Sequence, residues 1–212
     1  MELYNSEEEQ VEALKAWWDK NGRSVIIAIV VVLLGVFGWK RWQQQQHSQA
    51  ESASVAMQKE IDALQTNPDV ALEAGRAVTG EYSGTVYATM ASLGMARAAV
   101  DKGDLDSAVA YLQAALNDAD QPELKQLARL NLSRVLLAQG KADEALRHLL
   151  GGQGGAMQAS YDELRGDIML AQGKTSEARD AYINALNGFK DSAEKKELVQ
   201  LKLDDLAERV GE

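Results

Sequence analysis

Three segments of this chain share one pattern, and that pattern decides the fold. They are GDLDSAVAYLQAAL (103–116), GKADEALRHLLGGQ (140–153) and GKTSEARDAYINAL (173–186). Each begins with Gly and carries Ala five residues later, and these alanines are separated by 37 and 33 residues. Self-similarity at a period in this range indicates stacked helix–turn–helix units. The sequence therefore predicts an α-helical solenoid.

The spacing and the small residues resemble tetratricopeptide repeats, whose unit is a helix–turn–helix of about 34 residues. Two helices can cross closely only where small residues let their backbones approach, and each predicted second helix opens with such a residue. The small residues expected to lie together are Ala108 with Ala96, Ala145 with Ser133, and Ala178 with Gly166. The larger residues expected to fill the layer between neighbouring repeats are Leu112, Leu149 and Tyr182.

The predicted helix ends fit the same register. Gly103, Gly140 and Gly173 close the first helices, where a positive φ costs glycine little. Polar residues near the starts of the second helices are expected to cap them or to favour their N-terminal dipole. These residues are Asp106, Asp143 and Ser176.

Composition agrees with an all-α fold and excludes several function classes. The chain has 212 residues, two prolines and no cysteine. Without cysteine there is no thiol catalysis, disulfide or Cys-ligated zinc. Lys and Arg number 22 against 32 Asp and Glu, a net charge of −10, which is the opposite of a basic nucleic-acid footprint. We therefore expect no nucleic-acid partner.

An apolar stretch near the N-terminus, VIIAIVVVLLGVFGW at 25–39, predicts a single membrane span. Fifteen residues are short of the roughly 20 that a bilayer needs, but basic and Trp residues flank the stretch, as they do at membrane interfaces. The predicted anchor residues are Trp17, Trp18, Arg23, Trp39, Lys40, Arg41 and Trp42. A buried core helix or a cleaved signal peptide fits these flanks less well than an uncleaved anchor over 23–42.

The N-terminal tail, residues 1–22, has a pattern of its own. Lys15, Lys20 and Arg23 favour an N-terminus inside the cell, with 43–212 outside the cytoplasm. Ser6 and Glu9 fit a capping box, and Asn21-Gly22 is expected to end the helix. One helical face carries Val11, Leu14, Trp17 and Trp18. Both a short helix on the membrane surface and a solvated acidic tail fit this pattern.

Helices are also predicted on both sides of the three repeats, which gives about three and a half repeats over 50–212. The helix before Asn67-Pro68 has its predicted inward stripe at Ala50, Ala53, Met57, Ile61 and Leu64. The last helix, 193–210, has its predicted inward residues at Leu198, Leu201, Leu206 and Val210. Terminal units of this kind keep a solenoid soluble.

The first helices of a tetratricopeptide array line its concave face, so they supply the candidate protein-binding groove. Its predicted residues are Met90, Leu93, Arg97 and Val100, then Leu127, Leu130, Arg134 and Leu137, then Ser160, Glu163, Asp167 and Leu170. The groove would be apolar with one Arg in each of two repeats, and acidic in the third. Such a surface suits an extended or helical apolar segment. Alternatively, Met90, Leu93, Leu127 and Leu130 are core residues.

The motifs of enzymes are missing. The loop Gly151–Gly155 lacks the preceding strand and the Lys-Ser/Thr ending of a phosphate-binding loop, and it is interpreted as a joint between repeats. His47 and His148 lack a partner at ligand spacing. We therefore expect a protein without catalytic activity, cofactor or metal.

The order of parts resembles the YfgM family, the ancillary subunits of the bacterial SecYEG translocon. EEEQVEALKAWWDKNG at 7–22, the span at 25–39 and a repeat domain ending near residue 212 carry this resemblance. It implies a type II inner-membrane protein with a cytoplasmic tail (1–22), a transmembrane helix (23–42) and periplasmic repeats (43–212). It also implies association with the SecYEG translocon, the periplasmic chaperone PpiD, exported polypeptides and membrane lipid.

Two functions remain open at this point. One is a scaffold that helps pass exported proteins to periplasmic chaperones. The other is a regulatory scaffold whose cytoplasmic tail binds a stress-signalling protein.

Overall fold

The computed structural model describes residues 7–190 and 192–211, and within these ranges all regular structure is helical. The helices are α1 (Glu7–Leu64), α2 (Pro68–Glu81), α3 (Val86–Asp101), α4 (Leu105–Asp118), α5 (Pro122–Ala138), α6 (Ala142–Leu150), a short 3₁₀ helix (Gly155–Met157), α7 (Gln158–Ala171), α8 (Thr175–Gly188) and α9 (Ala193–Gly211). Two compact units are present, with their boundary between Glu51 and Ser52. The predicted all-α class is confirmed.

Helix α1 continues through Asn21-Gly22, so the predicted stop at these residues is wrong. The Asn21 side chain donates to the Trp17 carbonyl oxygen four residues earlier, and Gly22 lies beneath the Trp18 indole. Both residues are therefore accommodated inside the helix. The predicted capping box lies outside the described part of the structure, since neither Ser6 nor the Glu9 side chain belongs to it.

In the second unit α2 packs against α3, and consecutive helices form three pairs: α3 with α4, α5 with α6, and α7 with α8. In each of these three pairs a tight turn joins the two helices, at Gly103 (φ 77°), Gly140 (φ 76°) and Gly173 (φ 74°). These left-handed conformations confirm the predicted helix ends. Asn67 caps α2 through its side chain, and Pro68 occupies the first turn.

The predicted small residues lie in the core. Ala108, Ala145 and Ala178 are fully buried, and their partner positions Ala96 and Ser133 are buried as well. Gly166 lies against a large aromatic side chain. A Cβ built on Gly166 would lie 2.5 Å from Cδ1 of Tyr182. Tyr182 therefore packs on α7 within its own helix pair, and it also lies in a core cluster with Val199 and Leu206 of the next helix, α9.

Two predicted helix faces are correct only in part: Ala53 and Met57 of α1 and Leu206 of α9 are buried as predicted, but other predicted positions are exposed. In α9, Leu198 and Leu201 are 50% and 61% exposed, whereas Val199 and Leu206 are fully buried. In α1, Ile61 is 40% exposed, and the adjacent Glu60 is fully buried in its place. Counting apolar residues favoured the leucines and Ile61, but the face that contacts the neighbouring helices is set by packing. The Val210 side chain lies outside the described residues.

Candidate protein-binding cleft

A cleft of about 300 Å³ lies between the first helices of two consecutive repeats, α3 and α5. Its floor is apolar, because aliphatic side chains from α3, α4 and α5 meet there. Its rim is polar. The lining residues are Leu93, Ala96, Arg97, Val100, Leu112, Asn131, Arg134 and Val135. We call this feature the α3–α5 cleft.

Four positions of the predicted groove meet in the α3–α5 cleft: Leu93, Arg97, Val100 and Arg134. Met90 is exposed and Leu127 is half-buried, and neither is a lining residue. Leu130 is 3% exposed and packs in the core cluster. The expectation that Leu130 lines the groove is therefore wrong, because its side chain points between the helices.

Sequence reasoning missed Asn131 and Val135, which also line the cleft. Asn131 lies three residues before Arg134 and Val135 four residues after Asn131, so all three share one face of α5. The three- and four-residue separations of Asn131, Arg134 and Val135 could therefore have predicted this face of α5. The predicted face was set by the leucines at 127 and 130, which turned it toward the core.

The two arginines at the rim differ in their partners. Arg97 Nε donates to both carboxylate oxygens of Asp101 at 2.9 Å, and these hydrogen bonds together with the Asp101 charge raise the pKa of Arg97. Arg134 Nη1 donates to Asn131 Oδ1 at 3.3 Å. Among the described residues, Arg134 has no carboxylate within ion-pair distance. The cleft therefore presents one cation that is free to bind an acidic or carbonyl group.

The third repeat does not continue the apolar cleft, because α9 covers its acidic residues. Lys202 Nζ lies 2.8 Å from Glu163 Oε1 and 2.8 Å from Asp167 Oδ1. The Tyr182 hydroxyl donates to the same Asp167 oxygen at 2.8 Å. Glu163 and Asp167, predicted as groove residues, are thus engaged with the C-terminal helix.

Burial and charge shift the pKa values of this cluster. Burial lowers the pKa of Lys202, but the hydrogen bonds and charges of Asp167 and Glu163 outweigh it, so the pKa is raised overall. Burial raises the pKa of Tyr182, and Asp167 raises it further. At neutral pH the cluster therefore holds a charged lysine between two carboxylates and a neutral tyrosine.

The predicted anchor residues all lie on α1, in the first unit. Its apolar stretch exposes nearly all of its large side chains, as a helix in contact with lipid would. An 18-residue window of this helix has a mean hydropathy of 2.2, and it is the one candidate span in the described part of the chain. The Trp39 and Trp42 rings are 5.2 Å apart. The exposed anchor residues are Trp17, Trp18, Arg23, Trp39, Lys40, Arg41 and Trp42.

The Gly-rich loop packs against α5. A Cβ on Gly152 would lie 2.7 Å from the Arg129 guanidinium carbon, and one on Gly155 would lie 2.6 Å from Gln126 Nε2. The glycines thus allow close contact between the loop and α5. In the residues that the structure describes, no group of three His, Cys, Asp or Glu side chains could hold a metal ion.

Comparison with known proteins agrees with this architecture. A tetratricopeptide repeat-like domain model matches residues 15–208. The ancillary SecYEG translocon subunit of Escherichia coli (strain K12) is 32% identical, covering 98% of this chain and 100% of the relative. The relative of the same name from Haemophilus influenzae is 31% identical, covering 96% and 99% of the two chains.

A third relative of that name, from Aggregatibacter actinomycetemcomitans, is 30% identical over 94% of this chain and 97% of the relative. Together with the apolar helix, these names fit an inner-membrane protein. The chain belongs to the tetratricopeptide repeat-like family of ancillary SecYEG translocon subunits, as the resemblance to YfgM implied.

Proposed function

We propose that this protein is a membrane-anchored, non-enzymatic scaffold at the SecYEG translocon that helps pass exported polypeptides to periplasmic chaperones. The α3–α5 cleft is the observation that carries the proposal. It is open to solvent, its floor is apolar, and Arg134 and Asn131 stand at its rim. An exported chain that has not yet folded exposes the apolar side chains that such a cleft would accept.

The chemistry of the cleft suits transient binding. An apolar side chain would enter the cavity, and Arg134 and Asn131 would bind carbonyl or carboxylate groups of the same segment. A small apolar contact of this kind is weak. Weak binding is what a handover to a chaperone such as PpiD requires, since the polypeptide must leave again.

In the proposed topology the tail (1–22) lies in the cytoplasm, residues 23–42 span the inner membrane, and the repeats (43–212) lie in the periplasm. Lys15, Lys20 and Arg23 support this orientation. Trp17 and Trp18 would lie at the inner leaflet, and Trp39 and Trp42 at the outer leaflet.

A second candidate is a regulatory scaffold whose tail binds a stress-signalling protein. The exposed side chains of Val11 and Leu14 favour it, because they leave an apolar face on the tail. In that case, deleting the tail would abolish capture of the signalling protein and leave capture of exported polypeptides unchanged.

The test of the proposed function places negatively charged side chains in the cleft. In the full chain in nanodiscs, Val100→Glu with Arg134→Glu should weaken binding of an unfolded exported polypeptide at least tenfold. Ile183→Glu on α8 is the matched control, since Ile183 is 44% exposed and does not line the cleft. Equal binding by both variants would show that the cleft is not the binding site.

A further inference from the structure

Glu60 is an ionisable residue that is buried inside the second unit. It lies in the last part of α1, within the segment 52–64 that belongs to the second unit. Its side chain is fully buried, and neither carboxyl oxygen has a hydrogen-bond partner among the described residues. A buried charged carboxylate without a partner is very costly. The side chain therefore needs an explanation other than simple packing.

Glu60 is held between two helices at positions where only glycine leaves room. A Cβ on Gly75 of α2 would lie 2.9 Å from Glu60 Oε1, and a Cβ on Gly94 of α3 would collide with the same oxygen. Met95 lies over Gly75. The carboxyl group thus occupies a small pocket formed by two glycines and a methionine, next to the apolar cluster of Ala63, Ala71, Leu72, Met95 and Ala98.

Among the residues that the structure describes, neither a hydrogen bond nor a neighbouring charge offsets the burial of Glu60. Burial alone raises its pKa, from 4.5 to about 8. Gly75 of α2 and Gly94 of α3 lie directly against the Glu60 carboxyl group, and neither residue titrates. The charged residues of the three helices near this contact are exposed, and they are Lys59, Asp62, Glu73, Arg76 and Arg97.

We infer that Glu60 is a proton-binding site that couples the docking of residues 52–64 onto α2 and α3 to pH. The protonated carboxyl fits the glycine pocket, and the ionised carboxylate does not. Proton release therefore favours a state in which this end of α1 has left α2 and α3. This inference is independent of the proposed function, since Glu60 does not line the α3–α5 cleft.

The sign and size of the effect follow from linkage. The docked state has the raised pKa, so the docked state binds the proton more tightly. Docking is strongest at low pH and weakens as pH rises above 4.5, until the docked carboxyl itself ionises near pH 8. With these two values, the docking equilibrium falls by about 50-fold between pH 6 and pH 8.

The test is hydrogen–deuterium exchange on the full chain in nanodiscs, expressed as protection factors so that the intrinsic pH dependence of exchange is removed. Amides of 52–64 should lose about 50-fold in protection from pH 6 to pH 8, while amides of α7 and α8 should not change. Glu60→Gln, which keeps the shape and removes the titration, should abolish the loss. Glu73→Gln, an exposed acid of α2, is the matched control and should retain it.

A constant protection of 52–64 in the wild-type chain would overturn the inference, and so would an equal loss in Glu60→Gln. If Glu60→Gln fails to fold, Glu60→Met provides a second neutral side chain with the same expected result. Binding of an exported polypeptide, measured at pH 6 on the same samples, reports the proposed function separately. That binding should be unchanged in Glu60→Gln whichever way the exchange result falls.

Discussion

Gln139 Nε2 donates a hydrogen bond of 2.8 Å to Asp106 Oδ1 across the junction between two repeats. Gln172 makes the same bond to Asp143, also at 2.8 Å, and Lys102 forms an ion pair with Asp69. In all three cases the residue that ends a first helix contacts the acid in the first turn of the preceding second helix. Asp106 and Asp143 were predicted to act at their own helix starts, yet they also link neighbouring repeats.

The first prediction concerns this link. Replacing Asp106 or Gln139 by Ala should lower the free energy of unfolding by about 0.5–1.5 kcal/mol, the usual net value of one hydrogen bond. The double variant should lose less than the sum of the two, because both changes remove the same contact. Denaturant unfolding of the full chain measures this. Strictly additive losses would show that the bond contributes nothing, and Gln113→Ala on the exposed face of α4 is the control.

The second prediction concerns the contact of Gly166 with Tyr182. Gly166→Ala would place a methyl group into the Tyr182 ring, so it should destabilise the protein by about 1–3 kcal/mol, as overpacking does. Gly80→Ala is the matched control, since nothing lies within 4 Å of its added Cβ in α2. That change should be neutral or slightly stabilising. Thermal melting compares the two, and equal melting temperatures would contradict the packing described for α7 and α8.

The third prediction concerns Lys202, which holds α9 on the third repeat. Lys202→Ala would leave Glu163 and Asp167 half-buried without their cation, at a cost of about 1.5–3 kcal/mol, the value of hydrogen bonds to charged groups. Lys174→Ala, at an exposed position, should cost much less. Chemical unfolding of the two variants measures this difference. Similar losses would mean that the lysine does not hold α9.

The same cluster predicts a dependence on alkaline pH. The pKa of Lys202 is raised above its ordinary 10.5 in the folded state, so its contribution is present below pH 10.5 and is lost as pH rises through the folded value. The raised pKa of Tyr182 acts in the same direction, because an unfolded tyrosine ionises first. Unfolding between pH 9 and pH 11 should show a steeper loss in the wild-type chain than in Lys202→Met with Tyr182→Phe. Parallel profiles would contradict this assignment.

The sequence predicted the features of this fold that local chemistry controls. Gly103, Gly140 and Gly173 were found because a left-handed turn needs glycine, and Ala108, Ala145 and Ala178 because close crossings need small residues. Positions set by packing were harder to predict. Leu130 was placed in the groove and Leu198 in the core, since periodicity alone leaves the phase of a helix uncertain by about one residue.

Other features could not be predicted because they depend on contacts distant in sequence. Lys202 lies 39 residues from Glu163, and nothing in either local pattern indicates that they pair. Nothing in the local sequence singles out Glu60, since a charged residue is normally solvated. Only the two glycines of α2 and α3, brought together by the fold, show where its side chain lies.

The fourth prediction concerns topology. The chain contains no cysteine, so single cysteines report their own location. A membrane-impermeant maleimide added to cells with a permeabilised outer membrane should label Gln113→Cys on α4 and should not label Gln10→Cys in the tail. After the inner membrane is disrupted, both should be labelled. The reverse pattern would place the repeats in the cytoplasm and overturn the proposed orientation.

Site-specific photocrosslinking in intact membranes tests most directly the proposed binding of exported polypeptides in the α3–α5 cleft. A photoreactive amino acid at Val100, in the cleft, should form adducts with exported polypeptides during active secretion. The same group at Ile183, exposed on α8, should form few or none, and Arg134→Glu should reduce the adducts at Val100. Equal adduct yields at Val100 and Ile183, or none at Val100 while secretion proceeds, would contradict the proposed binding.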